Sequence, residues 1–129
     1  MDQKQQYKVL LVEDDPGTVY SVKRCLEISE ISIDLCIAEN GQQGVDLCKA
    51  TNFHLILMDI RLPVLDGISA TKAIRALNAY KTIPIIAFTA NSKEYPKEIC
   101  TNSGMNDLIS KPFDIDEFIE MLSGYLNQS

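Results

Sequence analysis

Short continuous apolar runs alternate along this chain with stretches in which apolar residues recur every third or fourth position. The first run, Val9-Leu10-Leu11-Val12, ends in the acids Glu13-Asp14-Asp15. After it Val19, Val22 and Leu26 recur at helical spacing, and Asp15-Pro16 is a start signal, since a capping acceptor followed by proline suits a first turn. A weaker strand is predicted over Ile33–Ala38, where Ile33, Leu35 and Ile37 alternate with Asp34, Cys36 and Ala38. Residues 42–49 predict a short helix. Leu55-Ile56-Leu57-Met58 is the second strong run and also ends in an acid, Asp59. Asp66-Gly67 then precedes Ile68, Thr71, Ile74 and Leu77 at helical spacing. Residues 83–88 predict a third buried strand ending at Thr89. Residues 92–102 predict a loop and a helix; proline is tolerated only in a first turn, so Pro96 puts the helix start near Tyr95. Leu108-Ile109-Ser110 predicts a last short strand. Ile115, Phe118, Ile119, Leu122 and Leu126 outline the clearest amphipathic helix, with Asp114 as N-cap and Glu117 completing a capping box.

Five strands alternating with five helices imply an α/β fold, a parallel sheet with helices on both faces. Strands that are continuously apolar agree, because both of their faces are buried. No repeat, low-complexity tract or Pro/Gly-rich linker divides the chain, so one domain is expected over residues 1–129, with its core at about 7–127.

Composition changes this picture little. Hydrophobic residues make up 46% and charged residues 23%, which is ordinary globular usage. The apolar runs are too short to span a bilayer, and the polar start Met1-Asp2-Gln3-Lys4-Gln5-Gln6 has no signal core, so a soluble cytoplasmic protein without membrane contact is expected. With 12 basic and 18 acidic residues the net charge is −6, which argues against direct nucleic-acid binding. Cys25, Cys36, Cys48 and Cys100 are widely spaced with no C-x-x-C pair, and are read as buried small hydrophobes. The sole histidine, His54, precedes the third strand at the end opposite the strand tips and is read as a solvated turn residue.

The strand tips hold the candidate chemistry. In open parallel sheets function gathers at the carboxyl ends of the strands. Here those ends carry Glu13-Asp14-Asp15, Asp59, Thr89-Ala90 and Ser110-Lys111-Pro112. Close carboxylates repel, so a cation is called for. Oxygen ligands without histidine suit a hard ion such as Mg²⁺, which Glu13, Asp14 and Asp59 could hold. Lys111 adds a second positive charge and Thr89 a donor. A carboxylate beside such groups is equipped for phosphoryl transfer, and aspartate is a known covalent nucleophile for it.

With these residues quoted, the sequence resembles the receiver domains of two-component response regulators over nearly its whole length. The likeness runs from residues 9–15 through Leu57-Met58-Asp59-Ile60-Arg61-Leu62-Pro63-Val64-Leu65-Asp66-Gly67. It continues through 83–90 and Gly104-Met105-Asn106-Asp107 to Lys111-Pro112-Phe113. Receivers attached to hybrid histidine kinases are the most similar in motif. The resemblance implies a flavodoxin-like, doubly wound three-layer α/β/α fold with strand order 2-1-3-4-5. It implies that Asp59 takes a phosphoryl group from a phosphohistidine. Asp14, Glu13 (partly through water), Asp59 and the backbone carbonyl of Arg61 would hold Mg²⁺, and Thr89 and Lys111 would bind phosphate oxygens. A cis bond would join Lys111 to Pro112. Phosphorylation would pull Thr89 inward and reshape the surface of helix four, strand five and helix five. The domain would catalyse only its own phosphorylation and dephosphorylation. Its partners would be a histidine kinase or a histidine phosphotransfer protein, with a weak homodimer as a further state.

Three departures bear on these expectations. Leu62 and Leu65 stand where many relatives have Met, a packing change only. Leu108 replaces the aromatic residue expected three positions before the lysine, so a rotating ring cannot report the switch. Arg61 and Asn91 stand two residues after Asp59 and Thr89, where side chains overhang the site; Arg61 is expected to shield the phosphoryl group and set its lifetime. Rival readings are weaker. A flavin module would need a phosphate-cradling loop where the acids stand, and a haloacid-dehalogenase-like phosphatase would need Asp-x-Asp after the first strand. A degenerate receiver that only binds protein is the remaining alternative. The chain is expected to be either a single-domain regulator or a receiver cut from a larger protein, with no room for an effector after Ser129.

Overall fold

The computed structural model describes residues 6–90, 93 and 96–126. Its elements are β1 (Tyr7–Val12), α1 (Pro16–Ser29), β2 (Ile33–Ala38), α2 (Gly41–Ala50), β3 (Leu55–Asp59), α3 (Gly67–Arg75), a 3₁₀ turn (Asn78–Tyr80), β4 (Ile85–Thr89), α4 (Lys97–Asn102), β5 (Asp107–Ser110) and α5 (Ile115–Leu126). The strands pair in parallel in the order β2-β1-β3-β4-β5, as expected.

Alternation along the strands divides the core in two, because successive side chains point to opposite faces. Leu10, Val12, Ile56, Met58, Ile85 and Ala87 face Val45 and Cys48 of α2, Ala70 and Ile74 of α3, and Cys100 of α4. Val9, Leu11, Leu55, Leu57, Ile86, Phe88 and Ile109 face Val22, Cys25 and Leu26 of α1 and Phe118, Leu122 and Leu126 of α5. Each fully buried Val, Leu, Ile, Phe or Met side chain among them contributes roughly 1.5–3 kcal/mol relative to exposure. The cysteines are free; Cys25, Cys48 and Cys100 are buried and Cys36 half-buried. Among the described residues no helix is long and apolar enough to cross a membrane.

Boundaries differ from expectation where tertiary contacts or proline intervene. The helix expected to reach Leu77 stops at Arg75, because the chain turns to bury Tyr80. The Tyr80 hydroxyl donates to Thr51 O and accepts from Phe53 N at 3.0 Å, tying this turn to the entry of β3. β4 starts at Ile85, after Pro84, which has no N–H for the ladder. α4 starts at Lys97 with Pro96 just before it, and the expected start at Tyr95 lies outside the described residues. The Lys111–Pro112 bond is cis. Phe118 N donates to Asp114 O at 2.9 Å, which puts Asp114 at the head of α5.

Candidate functional site

The tips of β1 and β3 are each followed by a helix that an aspartate caps. Asp15 caps α1, its carboxylate accepting from Thr18 N at 3.0 Å and Thr18 Oγ1 at 2.8 Å, and these bonds hold its pKa below the usual carboxylate range. Asp15 is thus occupied, while Glu13 and Asp14 remain for the cleft. Asp66 caps α3 by accepting from Ser69 N at 2.8 Å. Gly67 begins that helix so close to the acceptor strand that a Cβ on it would stand 2.1 Å from Asp59 O. Only glycine permits this approach. Gly41 is pressed likewise: a Cβ there would lie 1.9 Å from Leu65 O, so the start of α2 abuts the β3–α3 loop. The sequence marked Asp66-Gly67 only as a helix start; the close approach depends on packing between distant segments.

At the carboxyl edge Asp59 is 6% exposed and Glu13 1%, whereas Asp14 is open to solvent. One carboxylate oxygen from each of Glu13, Asp14 and Asp59 lies within 4.8 Å of the others. Lys111 Nζ donates to Glu13 Oε1 at 2.7 Å and stands 3.5 Å from Asp59 Oδ2. The other Glu13 oxygen accepts from Asp15 N at 3.2 Å, and Arg61 N donates to Asp59 Oδ1 at 3.3 Å. Thr89, 3% exposed, ends β4 beside this group, and Lys111 N donates to Thr89 O at 2.8 Å. The structure therefore brings Glu13, Asp14, Asp59, Thr89 and Lys111 to one edge, with Arg61 exposed at its rim. Asn91 lies outside the described residues.

Burial raises the Asp59 pKa to about 7, helped by the hydrogen bond and negative charge of Glu13 and opposed by Lys111 and the Arg61 N–H. Three carboxylates held against one ammonium leave a net negative cleft. Its all-oxygen donors at this spacing fit a hard divalent cation.

His54 is exposed and distant from this edge, as expected, but it is more than a solvated turn residue. Lys8 N donates to its Nδ1 at 2.9 Å, its own N donates to Lys8 O at 2.8 Å, and its ring meets Tyr7 edge-on at 5.5 Å. It clips β1 to the entry of β3, a role that needs the parallel pairing to be known. Arg75 was also missed. Its guanidinium donates to Gly104 O, Tyr80 O, Ile83 O and Asn106 Oδ1 at 2.6–2.8 Å, joining α3 to the starts of β4 and β5.

The family model of the response regulator receiver domain matches residues 9–123. The chain belongs to that family. Among curated relatives, the receiver is 36% identical to "Hybrid signal transduction histidine kinase B" of Dictyostelium discoideum over 93% of this chain and 7% of that protein. It spans only 7% to 12% of the length of the kinases it matches first. Among solved structures, the receiver domain of sensor histidine kinase PA1611 from Pseudomonas aeruginosa PAO1 superposes with a TM-score of 0.86 at 36% identity. That match covers 96% of this chain and 100% of the other, and that structure has magnesium coordinated in its active-site cleft. The receiver of Saccharomyces cerevisiae Ssk1, solved with the histidine phosphotransfer protein Ypd1, gives 0.80 at 30% identity over 96% and 91% of the two chains. The flavodoxin-like, CheY-like receiver fold expected from the sequence is thus shown.

Proposed function

We propose that this receiver accepts a phosphoryl group on Asp59 from a phosphohistidine and so takes part in a two-component phosphorelay. The observation that carries the reading is the Asp59 carboxylate at the end of β3, with a carboxylate oxygen of Glu13 and of Asp14 within 4.8 Å and the Lys111 ammonium 3.5 Å from its Oδ2. An Asp59 oxygen attacks phosphorus in line, the phosphorus–nitrogen bond breaks, and its electron pair leaves with the imidazole. Lys111 neutralises charge on the transferring oxygens and Thr89 donates a hydrogen bond to one of them. Glu13, Asp14, Asp59 and the Arg61 carbonyl are the residues to hold Mg²⁺, which supplies further neutralisation when bound. The side chain of Arg61 covers the product and slows its hydrolysis.

Phosphorylation then draws Thr89 inward and reshapes the face formed by α4, β5 and α5. The direct bond from Lys111 N to Thr89 O, and the pairing of Thr89 with Ser110, support transmission from β4 to β5. Leu108 is half-buried against the α2–α3–α4 side of the core, so this transmission runs through backbone pairing rather than ring rotation. The kinship with hybrid kinases supports a histidine phosphotransfer protein as a partner, in a cytoplasmic setting.

The test is intact-mass spectrometry after incubation with acetyl phosphate and Mg²⁺, beside Asp59→Asn. A gain of one phosphoryl group that needs Mg²⁺ and is absent from the variant is expected. A folded protein that gains nothing, even from a phosphorylated histidine kinase, would leave only the protein-binding reading.

A further inference from the structure

The two edges of the sheet are finished differently. β5 is short, and its first residue is engaged, with Lys97 Nζ 3.7 Å from Asp107 Oδ1 and the Tyr125 hydroxyl 3.1 Å from Oδ2. β2 is longer and, among the described residues, pairs with β1 alone. Tyr7 N donates to Ser32 O and Glu13 N to Ala38 O, so the even-numbered residues of this segment turn their backbone groups towards β1. Alternation then turns the N–H and C=O of Ile33, Leu35 and Ile37 outward, away from the sheet. Such an edge invites pairing with another chain unless proline, lysine, a bulge or an inward charge blunts it. β2 has no proline and no lysine, and its one charged residue, Asp34, falls on the opposite face from Ile33, Leu35 and Ile37.

The side chains of Ile33, Leu35 and Ile37 are half-buried, packed against the half of the core that α1 and α5 cover. With Ile31, and with Lys23 and Glu27 of α1, they line a groove of about 430 Å³ along this edge. Lys23 and Glu27 are exposed and one helical turn apart, and among the described residues no ion pair engages either. The groove therefore offers a row of branched apolar side chains, a row of outward backbone groups, and one charge of each sign. That combination is self-complementary under a two-fold axis.

We infer that β2 is the seam of a homodimer, with a second copy of this chain as the occupant of the groove. The two β2 strands pair antiparallel about an axis normal to the sheet through Leu35. Leu35 then lies opposite Leu35 and Ile33 opposite Ile37, their outward N–H and C=O groups exchange bonds, and the two sheets become one. The same axis sets α1 beside α1 in the reverse direction, so that Lys23 of one copy faces Glu27 of the other. An unrelated strand would satisfy the backbone alone, whereas a second copy matches backbone, apolar row and charges together. With the copies antiparallel the two acceptor edges point in opposite directions, and Asp59 on β3, two strands from the seam, stays open in both. The pairing uses no residue of the acceptor site and stands apart from the phosphorelay reading.

Sedimentation velocity over a concentration series up to millimolar tests this with the wild type, Leu35→Lys, Lys23→Glu, Glu27→Lys, the double reversal Lys23→Glu/Glu27→Lys, and Ile28→Asn. The wild type is expected to pass from monomer to dimer as concentration rises. Leu35→Lys sets like charges across the axis and should weaken the dimer about tenfold or more. Each single reversal places like charges on facing helices and should weaken it about three- to tenfold, while the double reversal restores it. Lys23 and Glu27 are exposed, so their variants fold whatever a lysine at position 35 does to the strand. Ile28→Asn, exposed on α1 but outside the groove, should dimerise as the wild type does. A wild type that stays monomeric at every concentration, a dimer indifferent to Leu35→Lys and to both single reversals, or a double reversal no tighter than the single ones would overturn the pairing.

Discussion

Lys111 Nζ lies 2.7 Å from Glu13 Oε1, closer than the 3.5 Å that separates it from Asp59 Oδ2. The ammonium is therefore chiefly bound to the buried carboxylate of β1, while it remains within reach of the candidate acceptor of β3. Both contacts lie where burial screens charges little.

Removing that ammonium leaves the Glu13 carboxylate, 1% exposed, without its counter-charge. Lys111→Met should therefore lower unfolding stability by about 2–4 kcal/mol in a urea titration, since breaking one side of a buried pair costs more than the pair contributes. It should also reduce the phosphoryl yield from acetyl phosphate.

The raised pKa of Asp59 sets a pH window. An unfolded aspartate ionises near pH 4, whereas Asp59 in the fold does so at about 7. As pH rises between these values the unfolded chain releases a proton that the folded one retains, so Asp59 progressively destabilises the fold. Asp59→Asn should thus melt higher than the wild type at pH 7.5 without divalent cations, by on the order of 2–4 kcal/mol, and the gap should shrink towards pH 4. Added Mg²⁺ should raise the wild-type melting temperature and leave the variant nearly unmoved. Scanning calorimetry across pH, with EDTA or Mg²⁺, reads both effects.

Gly67→Ala places a methyl carbon where Asp59 O now stands 2.1 Å away. Helix α3 must retreat from the end of β3, at a cost of about 2–4 kcal/mol, in the range of tight overpacking or more. Because the displaced atom belongs to Asp59, acetyl phosphate labelling should slow as well. A variant with wild-type stability and labelling would show that the contact is loose.

Arg75→Met separates stability from chemistry. It strands the carbonyls of Tyr80, Ile83 and Gly104, which are now bonded to the guanidinium. A loss of about 2–4 kcal/mol is expected in urea, at roughly 1 kcal/mol or more per abandoned acceptor. Labelling of the folded variant should stay at the wild-type rate, because Arg75 ends α3, the end of that helix away from the acceptor.

If Arg61 covers the phosphoryl group, Arg61→Ala should shorten the lifetime of the phosphorylated protein severalfold, read by mass spectrometry after removal of the donor. An unchanged rate would refute the shielding role.

Much of this molecule was legible before any coordinates. Continuous runs at 9–12 and 55–58 could only be strands buried on both faces, and Asp15-Pro16 and Asp66-Gly67 marked helix starts that the structure keeps. The acids, Thr89 and Lys111 follow strand runs, so a parallel sheet was bound to gather them at one edge. These features are local in sequence, or follow from topology alone. What tertiary structure decided involves contacts between segments far apart in the chain. Lys111 choosing Glu13, Gly67 pressed on Asp59 O, His54 clipped to Lys8 and Arg75 reaching Gly104 and Asn106 each join residues whose spacing carries no period. The end of α3 at Arg75 instead of Leu77 has the same origin, since burying Tyr80 outweighs helical spacing. The positive φ of Val64 was likewise invisible, because a valine in sequence signals extended chain, and only the surrounding packing holds it otherwise.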